Sequence, residues 1–104
     1  MKINWSKKSI FATENLEYDK EYLKAEETFQ NDKLKLNGFL FVNDVLQSLG
    51  IPMVKRGQFD GWIWDEIDPN GQVAIKFKMK VENGDLILVL NEEKNIVDNV
   101  FKED

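Results

Sequence analysis

Three features of this 104-residue chain predict an α+β fold, with two N-terminal helices packed on a three- to four-stranded antiparallel β-meander. Apolar residues before Gly50 recur at helical spacing, whereas those after Gly61 recur at alternate positions. Asn83-Gly84 lies between two apolar runs, the strongest short-range hairpin signal. A content of 42% apolar and 32% charged residues suits a soluble globular chain, read as one domain over residues 1–104.

Residues 1–12 alternate weakly at Ile3 and Trp5, which fits a short edge strand or an arm. Thr13 offers an N-cap, with Glu14 and Glu17 placed for the first turn of a helix from Leu16 to about Asn31. Its apolar positions, Leu16, Tyr22, Leu23, Ala25 and Phe29, form a narrow stripe on a mostly solvated helix. Like charges at Glu17/Glu21 and Lys20/Lys24 leave that helix dependent on packing. Asn31-Asp32-Lys33 reads as a break. The second helix is capped by Asn37, or by Asn43 if Phe39 to Val42 is extended. Val42, Val45, Leu46 and Leu49 fill its buried face. Gly50, Ile51 and Pro52 then supply a left-handed residue, an apolar contact and a block to continuation.

Residues 53–61 read as a loop containing Gly57 and ending at Gly61. Trp62-Ile63-Trp64 opens a strand that ends in the turn Asp68-Pro69-Asn70-Gly71. Val73, Ile75, Phe77, Met79 and Val81 alternate with Ala74, Lys76, Lys78 and Lys80, one dry face and one wet. Leu86 to Leu90 is apolar on both faces, as expected of a central or doubly covered strand. From Asn91 two readings stand: a helix presenting Ile96, Val97, Val100 and Phe101, or a turn at Glu93-Lys94-Asn95 and a final strand. The turn and strand are slightly preferred.

The chain has no cysteine and no histidine, which removes disulfides, thiolate nucleophiles, Cys/His zinc sites and the commonest general base. No apolar run is long enough to span a bilayer and no signal-peptide core follows Lys7-Lys8, so a cytoplasmic location without membrane contact is expected. The formal charge of −5 argues against nucleic-acid binding by the domain itself. Residues 13–32 and residues 82–104 each carry seven acidic and two basic residues, so acid is concentrated in two blocks.

Four groups of residues invite chemistry. Glu66-Ile67-Asp68-Pro69-Asn70-Gly71 has the outline of a calcium loop, but Phe77 stands where the bidentate glutamate belongs, and a plain turn is the better reading. Asp60, Asp65, Glu66 and Asp68 could serve acid–base or Mg²⁺ chemistry; without a phosphate-cradling loop, a solvated turn is favoured over a cofactor or metal site. Trp62 and Trp64 share a strand face, either as a stacking platform or as the anchor between sheet and helix. Lys55-Arg56 and the Lys76, Lys78, Lys80 stripe form a basic patch, although alternating lysines more often guard a sheet edge.

Phe41-Val42-Asn43-Asp44-Val45-Leu46, Leu49-Gly50-Ile51-Pro52, Gly57 and Gly61-Trp62 together resemble a small family of uncharacterised phage proteins and their relatives in Gram-positive bacteria and mobile elements. The resemblance covers about residues 38–100. It departs at Val42, where that family has Leu, and in the lysines of the meander. It implies a genomic setting and no catalytic residue. The expected function is a non-enzymatic interaction or structural accessory protein with an unidentified protein partner. Lys55, Arg56, Asp60, Trp62 and Trp64 are the candidate partner-binding residues. An acidic inhibitor mimicking nucleic acid is the alternative, and a carboxylate-based metal-dependent enzyme a third.

Overall fold

The computed structural model describes residues 1–64, 75–91 and 94–97. The chain runs β1 (Lys2–Asn4), α1 (Trp5–Lys8), α2 (Leu16–Asn37), β2 (Phe39–Phe41), α3 (Val42–Ser48), a 3₁₀ turn (Lys55–Gln58), β3 (Asp60–Ile63), β4 (Phe77–Glu82), β5 (Asp85–Leu90) and β6 (Lys94–Asn95). The α+β class holds, but its arrangement differs from the expected one. The strands form two antiparallel sheets of order β1-β5-β4 and β2-β3-β6, not one meander. A single long helix, α2, occupies residues assigned above to a helix, a break and the entry to a second helix.

Asn31-Asp32-Lys33 does not break α2 because its side chains are used where they stand. The Asn31 amide donates to Ile75 O and accepts from Ile75 N, each at 2.8 Å, and also donates to Glu27 O one turn back. The Lys33 ammonium lies 5.5 Å from the Phe29 ring centre. The helix buries Asp19, Leu23, Gln30 and Leu34, whereas Phe29 of the expected stripe is exposed. Its N-cap is Asn15, whose side chain accepts from Tyr18 N, and not Thr13. Thr13 instead turns its hydroxyl and N–H to the buried Asp19, which also receives the Trp5 indole N–H at 3.2 Å. At the other end Gly38, at φ +84°, stops α2 in the left-handed region.

Residues 39–41 then form β2, paired with β3 through Phe39↔Ile63, Leu40↔Trp62 and Phe41↔Gly61. A side chain on Gly61 would strike Leu40 O, so this pairing requires glycine. Neither asparagine proposed above caps α3: Phe41 precedes it, and its N–H donates to Asp44 of the first turn. The stop of α3 is as expected. Ile51 N donates to Leu46 O and Gly50 N to Gln47 O, a Schellman pair with Gly50 at φ +67°. The Ser9–Phe11 segment covers this end, with the Ser9 hydroxyl on Leu49 O and Ile10 N on Gly50 O.

In the first sheet, Asn83 and Gly84 make a two-residue turn, both at positive φ, that fixes the β4–β5 register from Glu82↔Asp85 to Phe77↔Leu90. β5 is central and buries Leu86, Ile87, Leu88 and Leu90 on its two faces. Its second neighbour is β1, so Lys2–Asn4 is an edge strand and no arm. The expected turn at Glu93-Lys94-Asn95 is corrected in part: Lys94–Asn95 is strand, pairing with Asp60 and Gly61, and Ile96 behind it is fully buried. The strand expected from Ile96 onwards is overturned among the described residues: Ile96 lies past the end of β6, and Val97 is helical, its N–H bonded to the Asn95 side chain. The turn 68–71, Val73 and residues 98–104 lie outside the described residues. One apolar cluster joins both sheets, from Ile3 and Trp5 through Leu34, Val45 and Trp62 to Phe77 and Leu88.

Candidate functional site

The segment after α3 is where this fold puts unusual side chains in solvent. Once Gly50 and Pro52 have ended the helix, the chain makes only the short 3₁₀ turn before β3, and in between it exposes Met53, Val54 and Phe59 beside Lys55 and Arg56. Exposed apolar groups next to cations on one loop are features of contact surfaces.

The loop is nevertheless held firmly. The Asn43 side chain accepts from Val54 N and donates to Val54 O, both at 2.9 Å, as a neighbouring strand would. Gly57 is buried directly against that amide, and a side chain there would fall on the Asn43 oxygen. Asn43 and Gly57, two of the residues that carried the resemblance, thus act together to fix the shape of residues 54–58. Arg56 is pinned more loosely. Its Nε lies 3.4 Å from Asp60 Oδ2, and its side chain is 77% exposed, so this surface pair adds little stability.

The five candidate residues divide between surface and interior. Lys55 and Arg56 stand in solvent, and Asp60 is mostly covered, with Oδ1 buried and without a partner among the described residues. Trp62 is buried in the core, which leaves it no open stacking face, and Trp64 is half-buried and packs against the same apolar cluster. Both indole N–H groups are buried without a partner among the described residues. Asp65, Glu66 and Asp68 lie outside those residues, so the carboxylate group is represented by Asp60 alone. No group of three or more potential metal ligands occurs among the described residues.

The wall facing the loop was not foreseen from the sequence. β1 and residues Ile51 to Val54 enclose a groove of about 260 Å³, with Ile3, Leu46, Ile51 and Met53 as apolar lining and Lys2 and Lys8 at its margins. The apolar Met53-Val54 directly before Lys55-Arg56 was the available signal; the approach of residues 1–4 was not, because that pairing is long-range. A second, more polar groove lies between the end of α2 and α3, where the Lys33 ammonium meets the Ser48 hydroxyl at 3.3 Å.

No helix among the described residues is long and apolar enough to cross a membrane. Residues 4–98 match the family model described as a family of unknown function (DUF6353). No curated protein and no solved structure matches the chain.

Proposed function

We propose, for a chain that belongs to the DUF6353 family of unknown function, a non-enzymatic role as a protein-interaction or structural accessory module that meets its partner through the Met53–Phe59 surface. One observation carries this reading: the loop that exposes Met53, Val54, Phe59, Lys55 and Arg56 is pre-shaped by Asn43 and Gly57. A preordered contact surface loses less entropy on binding. A phage or mobile-element setting, implied by the sequence resemblance, is part of the proposal. A location in the cytoplasm is proposed with it.

The nucleic-acid mimic receives less support. Within the acidic block 13–32, Asp19 is buried beneath Trp5 and Thr13, and Glu27 accepts from Phe77 N at 2.6 Å. Glu17 and Glu21 pair with Lys20 and Lys24, which leaves a sparse anionic face.

The test compares immobilised wild type with the Lys55→Glu/Arg56→Glu variant in pulldowns from the native host, read by mass spectrometry. Both side chains are exposed, so the variant keeps the wild-type melting temperature. The expected result is a protein retained by the wild type and lost by the variant. The same retained set on both overturns the reading.

A further inference from the structure

Building on that interaction surface, we propose that the groove between β1 and Ile51–Val54 binds an extended acidic peptide segment of the partner, added as a fourth strand on the outer edge of β1. Hydrogen-bond direction is the first support. Met1 and Leu90 exchange both main-chain bonds, N to O at 3.2 Å and O to N at 2.8 Å. In an antiparallel ladder the next residue points the opposite way, so the N–H and C=O of Lys2 turn away from β5 to the outer edge. That edge borders the groove and, among the described residues, carries no further strand. It is a template for one more chain in extended conformation.

The opposite wall fits the same guest. Val54 is extended, at φ −116° and ψ 155°, and its own N–H and C=O are already taken by Asn43. At Val54 this wall therefore offers its side chain and not a competing ladder. Met53, 64% exposed, and Ile51 supply an apolar seat for one side chain of the guest.

Charge decides what flanks that side chain. The chain carries 19 acidic residues, yet among the described residues none lines this groove, where Lys2 and Lys8 stand instead. Lys2 shares Glu82 with Lys80, whereas Lys8 has no ion-pair partner among the described residues. Lys55 and Arg56 continue the same sign beyond Val54. Aspartate or glutamate on either side of an apolar residue meets these cations, while a basic guest is repelled. A bilayer surface is the weaker match, because it offers no main-chain groups to the Lys2 edge.

The test uses the ¹⁵N-labelled full chain and two capped heptapeptides, one alternating valine with glutamate and one alternating valine with lysine. The acidic peptide is expected to give saturable amide shifts at Lys2, Asn4, Met53 and Val54, with slowed exchange of the Lys2 N–H, and the basic peptide none. Met53→Glu and Lys8→Glu, both at solvent-exposed positions, each weaken the acidic peptide about ten-fold or more, with the rest of the spectrum unchanged. Shifts confined to other surfaces, equal binding of both peptides, or no effect of either variant overturn the proposal. So does a response to phosphatidylserine vesicles without one to the acidic peptide. Loss of the host partner on Lys55→Glu/Arg56→Glu alongside failure of the peptide removes this groove and leaves the surface reading intact. Retention of the host partner by that variant removes the surface reading itself.

Discussion

Asn43 and Gly57 form a coupled pair whose coupling can be measured. Removing the Asn43 amide frees the Val54 N–H and C=O, and Asn43→Ala is expected to cost about 1–2 kcal/mol in urea unfolding. Gly57→Ala is destabilising in the wild type because its methyl meets the Asn43 oxygen. In the Asn43→Ala background that obstacle is gone, so the second substitution costs less there; strict additivity of the two losses would refute the packing argument. Tyr22 provides a residue-level pH dependence. Burial first, and then the Glu26 carboxylate, push its phenol above the ordinary value of 10.0. The fold therefore favours the protonated phenol. Its contribution is complete below the unfolded pKa and is lost as pH rises through the folded one. Wild-type stability should fall more steeply than that of Tyr22→Phe between about pH 9 and 11 in parallel urea titrations.

At the scale of elements, the two left-handed helix ends make contrasting predictions. A side chain on Gly38 has nothing within 4 Å, so Gly38→Ala carries backbone strain alone, about 1–2 kcal/mol. At Gly50 the added carbon would lie 2.7 Å from Ile10 and Phe11, and Gly50→Ala must also displace that covering segment. Thermal unfolding should place it below Gly38→Ala, at a loss of about 2–4 kcal/mol. These ends also show which elements the sequence discloses. Gly50-Ile51-Pro52 and Asn83-Gly84 act through local geometry, so their residue types are sufficient. The extent of α2 is not local: its buried face includes the polar Asp19 and Gln30, and its continuation past Asn31 depends on Ile75, 44 residues away in sequence. The pairing of β1 with β5 is hidden for the same reason. For the candidate site, exposed Lys55 and Arg56 were legible as polar residues in a loop. Trp62 and Trp64 were ambiguous, because a large aromatic residue suits a core and a binding face equally well until its neighbours are known.

For the whole molecule, burial predicts an order of opening. β5 is flanked by strands on both sides and packed on both faces, so amides from Leu86 to Leu90 should exchange most slowly, near the global unfolding limit. β6 is paired over only two residues, and the amides of β3 facing it should exchange through smaller openings. Hydrogen exchange read by NMR checks the order; protection in β6 equal to that in β5 would contradict it.

The two borders of the first sheet are finished differently. On β4, α2 covers the start of the outer edge, with Glu27 on Phe77 N and Asn31 on Ile75, and exposed Lys78 and Lys80 follow. On β1 the outer edge faces a groove. In the language of polymer chemistry, the two borders are unequal ends: the β1 border is open to addition, whereas the β4 border is blocked by α2 at Phe77 and guarded beyond it by exposed lysines. Fibril growth needs addition at both ends, and the cover at Phe77 together with Lys78 and Lys80 opposes it at one.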